Sequence, residues 1–186
     1  MLYEIRLHGR GGQGVVTAAT LLAEAAVLDG LWSQAIPFFG AERRGAPVVS
    51  FTRISDRPIR MHSRVRRPDA VVVLDERLLS LSGVLEGLKE GGVAVVNSSK
   101  GPSDLGLPVK CATVDATSIA LELDLVVAGW PVVNTAMLGS VARALGVVTI
   151  KSIEECIRRR WPGEAGERNA RAARLAYERT KLGWEG

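Results

Sequence analysis

The stretch Gly9-Arg10-Gly11-Gly12-Gln13-Gly14 decides how this chain folds, because it lies between a strand pattern and a helix pattern. From Tyr3 to His8 the apolar Tyr3, Ile5 and Leu7 alternate with Glu4 and Arg6, the period of a half-buried strand. From Val15 to Leu28 the only charge is Glu24, so this segment reads as a helix that is apolar nearly all round and is buried under other elements or against another subunit. The unit is strand, glycine turn, helix. Gly9, Gly11 and Gly14 meet the G-x-G-x-x-G spacing, in which missing side chains permit a tight turn and a close approach of backbone N–H groups to a ligand. The first helical turn adds unpaired N–H groups and the positive end of the dipole, which suits a phosphate or a carboxylate, and Arg10 adds charge. Gly9, Arg10, Gly11, Gly12, Gln13 and Gly14 are therefore candidate cofactor-binding residues. The same glycines also suit a turn that needs positive φ and close helix–sheet packing and binds nothing, so site and scaffold both stay open.

A dinucleotide site of this type has a further requirement, an acid at the end of the second strand that holds a ribose. Here the second strand, Trp32 to Ile36, runs into Pro37-Phe38-Phe39; Asp29 precedes it and Glu42 belongs to the next loop. A free-standing nicotinamide-nucleotide oxidoreductase is thereby disfavoured. The loop from Phe38 to Pro47 carries paired phenylalanines and paired arginines between glycines, which leaves apolar area and charge in want of partners. Phe38, Phe39, Glu42, Arg43 and Arg44 are candidate interface residues, since aromatic side chains and arginine dominate interface energetics. The alternative is that the phenylalanines plug the core and the arginines are solvated.

Further along, Val48 to Ile54 alternates as a strand, Asp56-Arg57-Pro58 is a turn, and Ile59 to Ser63 reads as a hairpin return. Ala70 to Leu74, Val93 to Val96 and Val109 to Val114 are apolar strands of the parallel, doubly covered type. Helical spacing marks Leu78 to Leu88, Thr117 to Leu123, Asn134 to Leu145, Ser152 to Arg160 and Glu164 to Lys181. Asn134 or Thr135 can cap its helix, and both join the cofactor-binding candidates. Asp75, Asn97 and Asp115 close three strands, where they either line the ligand edge of an open sheet or cap the next helix. Four i,i+4 ion pairs are expected near the C-terminus: Glu154/Arg158, Glu155/Arg159, Glu164/Arg168 and Glu167/Arg171. The fold class is α/β: a doubly wound, Rossmann-like open sheet, mostly parallel, with an antiparallel hairpin extension and C-terminal helices, in one domain spanning 1–186.

Composition removes other classes. A net charge of +4 on 186 residues does not call for nucleic acid, because the arginines near the C-terminus have acidic partners on their own helices. Two cysteines, Cys111 and Cys156, without a C-x-x-C, do not hold an iron–sulfur cluster or a structural zinc by themselves. No metal site is expected. No signal peptide is visible and no apolar run reaches the length of a membrane span, so the expectation is a cytoplasmic protein with no membrane partner. His8 and His62 are read as packed or surface residues, His8 drawing interest only for its place before the glycine loop.

Four segments in one order also carry a resemblance: His8 to Ala19 around Gly-Arg-Gly-Gly-Gln-Gly, Phe39 to Val48 around Ala-Glu-Arg-Arg-Gly-Ala-Pro, Pro68-Asp69 before the Val71 to Asp75 strand, and Asn134 to Gly139. Together they resemble the gamma subunit of pyruvate:ferredoxin oxidoreductase, within the wider 2-oxoacid:ferredoxin oxidoreductase gamma family. The resemblance implies a non-catalytic component of a larger enzyme that decarboxylates a 2-oxoacid, forms an acyl-CoA and reduces ferredoxin, or runs in reverse as a synthase. It implies alpha, beta and delta subunits as partners, with thiamine diphosphate, magnesium and iron–sulfur clusters on them. For this chain it leaves assembly, binding of CoA through the glycine loop, or both, with a ligand-free scaffold as the alternative.

Overall fold

The computed structural model describes residues 1–38, 43–81 and 83–185. Its centre is a seven-stranded sheet. Strand β1 (Leu2–Arg10) leads through the glycine loop into helix α1 (Val15–Leu28), which returns the chain to β2 (Trp32–Pro37) and β3 (Pro47–Ser55). Then follow β4 (Ala70–Val73), β5 (Val93–Asn97), β6 (Lys110–Val114), α2 (Ala116–Glu122), the short pair β7 (Val126–Val127) and β8 (Trp130–Pro131), α3 (Asn134–Leu145), α4 (Ile150–Arg160), α5 (Glu164–Arg179) and β9 (Lys181–Leu182). The spatial order is β2-β3-β1-β4-β5-β6-β9. Strands β1, β4, β5 and β6 run parallel, while β2, β3 and β9 are antiparallel to their neighbours. The mostly parallel sheet with an antiparallel hairpin and C-terminal helices agrees with the fold class read from the sequence.

Strand pleating sends alternate residues to two separate cores. Ile5, Leu7, Ile54, Ala70, Val72, Leu74 and Val95 face α1, α3, α4 and α5. The helix α1 buries Leu21 and Leu22 completely, each contributing about 1.5–3 kcal/mol. Its exposed residues are Glu24 and, in the last turn, Val27 and Leu28. Val71, Val73, Ala94, Val96 and Cys111 face the opposite side, where Leu78, Leu79, Val84, Leu85 and Leu88 cover them.

Three elements differ from the sequence reading, the simplest being the last helix, which ends at Arg179 rather than Lys181 so that Lys181–Leu182 can pair with the open edge of β6 as β9. The hairpin is formed by β2 and β3, and Ile59–Ser63 is not a strand. Both edges of β3 are already taken, by β1 and by β2, so the chain after Pro58 finds no free edge to join. It lies over the sheet instead, held by buried Arg53, which donates to the Ser63 carbonyl at 2.6 Å and pairs with Glu4 at 2.9 Å. The helix expected from Leu78 to Leu88 is one 3-10 turn, Glu76–Ser80, followed by irregular chain. Gly87 has φ +74°, and a Cβ there would overlap the Arg66 carbonyl, so the apolar spacing of this segment serves a close-packed covering loop.

Candidate functional site

The glycine loop connects β1 to α1 at the carboxyl edge of the parallel strands, where open α/β sheets keep their ligand crevice. Gly14 occupies the N-cap of α1 in the left-handed conformation, and no side chain caps the helix. A Cβ at Gly14 would strike the Asn134 amide, and one at Gly9 would strike Val15. Gly12 is different: it has φ +92° and its surroundings are open, the nearest neighbour of an added Cβ being Arg44 Cγ at 3.9 Å. The loop is braced from within, since Gln13 Oε1 accepts from the Arg10 N–H at 2.6 Å.

The loop and the arginine segment, which the sequence presents as two features, form one unit. Gly11 N–H donates to the Ala46 carbonyl at 2.8 Å and Gly45 N–H donates to the Gly11 carbonyl at 3.0 Å, so Gly11 and Arg44 pair as a parallel bridge. The Arg43 carbonyl packs where a Gly11 side chain would be. Arg10 ties the unit down: its Nε donates to Asp75 Oδ2 at 3.0 Å and its Nη1 to the Gly45 carbonyl at 3.0 Å. Asp75 is buried and also receives Arg77, and these hydrogen bonds, Arg77 first, lower its pKa to about 2. The Arg10 charge is therefore shared with Asp75, whereas Arg44 is exposed with its side chain beside Gly12.

Comparison with known proteins extends this geometry. The family model described as pyruvate ferredoxin/flavodoxin oxidoreductase matches residues 4–179. The chain belongs to that family. It is 54% identical over 186 residues to the pyruvate/ketoisovalerate oxidoreductases common subunit gamma of Pyrococcus furiosus, covering 97% of this chain and 98% of the relative. It is 55% identical over 178 residues to the pyruvate synthase subunit PorC of Methanothermobacter thermautotrophicus, covering 95% of each. The crystal structure of pyruvate oxidoreductase subunit PORC from Thermotoga maritima superposes with a TM-score of 0.85 at 41% identity, covering 98% of each chain. The resemblance carried by the four sequence segments is thus to the gamma members of this family.

In this gamma chain the remaining candidates fall into place as follows. Asn134 and Thr135 are buried inside α3, whose N-cap is Val133, so neither caps it. Asn134 reaches back to the glycine loop, its Nδ2 donating to the Gly14 carbonyl at 3.4 Å and its Oδ1 accepting from Thr135 N–H at 2.9 Å. Thr135 instead joins α3 to α5 by donating to Asn169 Oδ1 at 2.9 Å. Phe38 is 40% exposed and its ring lies under the Arg64 guanidinium, 4.7 Å from the ring centre. Arg43 and Arg44 are exposed, whereas Phe39 and Glu42 lie outside the described residues.

The strand-end residues act as caps. Asp75 accepts from Arg77 N–H, Asn97 Oδ1 accepts from Ala116 and Thr117 N–H, and Asp115 accepts from Ser118 N–H. Two C-terminal ion pairs also depart from expectation. Glu155/Arg159 and Glu164/Arg168 form, but Glu154 joins Arg174 at 2.7 Å and Glu167 joins Arg158 at 2.9 Å. Packing of α4 against α5 brings those charges together across helices, and a cross-helix partner displaces the one a turn away.

His8 is buried on the covering-loop side of the sheet, and its Nε2 accepts from Arg6 Nε at 2.8 Å. Burial, then the nearby Arg6 charge, lowers its pKa to about 4, so it is a neutral structural imidazole at pH 7. Arg6 goes on to donate to the carbonyls of Val84 and Glu86, pinning the covering loop. Sequence reading missed this role for Arg6 and for Arg53: alternation marks Arg6 as outward-facing, Arg53 shares the parity of the apolar Val49 and Phe51, and neither pattern says anything of a loop lying over that face. Among the described residues no group of three or more His, Cys, Asp and Glu is arranged to hold a metal, and no helix is long and apolar enough to cross a membrane.

Proposed function

We propose that this chain is the gamma component of a cytoplasmic oxidoreductase that decarboxylates a 2-oxoacid, pyruvate foremost, to an acyl-CoA and passes the electrons to ferredoxin. Its partners are then alpha, beta and delta subunits, which carry thiamine diphosphate, magnesium and the iron–sulfur clusters. This chain contributes assembly and a cradle for the CoA pyrophosphate or another anion. The observation that carries the reading is the union of the glycine loop with the Arg43–Pro47 segment at the carboxyl edge of the sheet.

The residues suit a pyrophosphate. Gly12 leaves its backbone open, α1 begins without a side-chain cap, and Arg44 lies beside Gly12. Arg10 is a positioning strut that holds the cradle through Asp75, and Asn134 sets the loop from beneath. Phe38, Phe39, Glu42 and Arg43 are assigned to the contact with a neighbouring subunit. CoA supplies the thiol that accepts the acyl group, and this chain would only hold and orient it.

The rival reading, a scaffold without a ligand, draws support from the close contacts that a Cβ would make at Gly9, Gly11 and Gly14. Kinetics of the assembled enzyme separate the two. Arg44→Ala is expected to raise the Michaelis constant for CoA about fivefold, the weight of one partly solvated charge, with turnover and assembly retained. An unchanged Michaelis constant in an intact complex would count for the scaffold. For the interface, Phe38→Ser with Arg43→Ala is expected to lower the mass of the complex in native mass spectrometry, and normal assembly would overturn that assignment.

A further inference from the structure

A second concavity lies away from the glycine loop, where the ends of β5 and β6 meet α5 and β9, and its volume is about 280 Å³. That is near the lower end of small-ligand sites. We infer that this concavity is a binding site for a phosphate-sized oxyanion, held by Lys181, Lys100 and Arg179 around the Thr113 hydroxyl.

Three features of the lining point to an anion. First, it carries the cationic side chains of Lys100, Arg179 and Lys181 against the single carboxylate of Asp115. That carboxylate is spent, since Oδ1 accepts from Ser118 N–H at 2.9 Å and Oδ2 from the Ser118 hydroxyl at 2.7 Å. Second, the cations differ in how far they are committed. Arg179 pairs with Glu122 at 2.9 Å and Lys100 stands 4.0 Å from Glu76, whereas Lys181 has no carboxylate within 4.0 Å among the described residues. Third, Thr113 is 1% exposed and its Oγ1 has no hydrogen-bond partner. An orphaned buried hydroxyl is costly, and a bound acceptor would satisfy it.

The fold explains the convergence. Thr113 and Lys181 are opposite residues in the antiparallel β6/β9 pair, so their side chains rise from the same face of the sheet. Because β9 is only two residues long, β6 continues past it and leaves an open corner beyond Thr113. The Ser98–Lys100 turn, fixed by the Ser98 hydroxyl accepting from Lys100 N–H at 3.1 Å, closes the other side. That turn directly after β5 brings Lys100 to the same corner. The mixture of hydroxyl and cationic donors around that corner fits a tetrahedral oxyanion better than a flat ring.

The test is titration of the full chain with inorganic phosphate at constant ionic strength, read by isothermal calorimetry and by thermal unfolding against chloride. The expected result is saturable, one-site binding and a midpoint that rises with phosphate concentration. Lys181→Gln is expected to weaken the phosphate affinity at least about fivefold, and adding Lys100→Gln to weaken it further, with far-UV circular dichroism unchanged. Thr113→Val gives an independent arm. Replacing the orphan hydroxyl by a methyl is expected to raise the unfolding midpoint without phosphate while reducing the phosphate response, a pair of effects that a merely structural threonine would not show together. No saturable binding, or phosphate affinity unaltered by Lys181→Gln and Thr113→Val, overturns the site.

Discussion

Replacing Gly11 by alanine is expected to release the arginine segment from the glycine loop, because the Arg43 carbonyl lies where the new methyl must go. The substitution cannot be absorbed by a flexible side chain, since the obstacle is backbone. Either β1 or the 43–47 turn must move, and the bridge between them opens. Gly11 N–H to Ala46 and Gly45 N–H to Gly11 would be lost, at 2.8 and 3.0 Å. With about 1 kcal/mol net for each bond and a further contribution from displaced packing, the cost is about 2–3 kcal/mol. Urea unfolding measures that loss. Trypsin measures the local consequence, because Arg43 and Arg44 are exposed cleavage sites whose backbone is held by this bridge. Cleavage there should accelerate in the variant under native conditions. Gly12→Ala is the control: it has no steric obstacle, so it should cost only the left-handed backbone, about 1–2 kcal/mol, and leave tryptic cleavage at Arg43 unchanged. A Gly11→Ala protein within about 0.5 kcal/mol of the parent, cleaved at the parent's rate, would refute the reasoning.

Two other outcomes follow from the buried polar groups. His8 has a folded-state pKa of about 4 against 6.5 for the free group, so between those values the unfolded chain binds the extra proton. Stability should therefore fall as pH drops from 6.5 towards 4, by up to about 3 kcal/mol, and level off below; His8→Gln should flatten that part of the urea-midpoint profile while keeping an acceptor for Arg6. A profile identical in the two proteins would contradict the assignment. Arg53→Met strips Glu4 of its buried partner and frees the Ser63 carbonyl, with an expected cost of about 3–5 kcal/mol and faster amide hydrogen exchange from Arg57 to Val65; unaltered exchange there would show that Arg53 does not hold that segment.

The local patterns of the chain were sufficient for most of its elements and for the family. Alternation in Tyr3–His8, the nearly uncharged Val15–Leu28 helix and the apolar runs at Ala70, Val93 and Val109 each encode burial by period, and period survives without knowledge of neighbours. The glycine spacing likewise announced a strand–turn–helix, because positive φ and close approach are demands on single residues. What the pattern could not contain was which edges and faces were already occupied. Ile59–Ser63 alternates like a strand but found β3 paired on both sides, and Leu78–Leu88 is spaced like a helix but packs as a loop around Gly87. The candidate site shows the same division. Its glycines were visible in the sequence, whereas the bridge from Gly11 to Arg44, the tie from Arg10 to Asp75 and the reach of Asn134 to Gly14 join residues 33, 65 and 120 positions apart. Periodicity is a property of neighbours along the chain, while partner choice at a sheet edge is settled by competition among all the groups that the fold brings there.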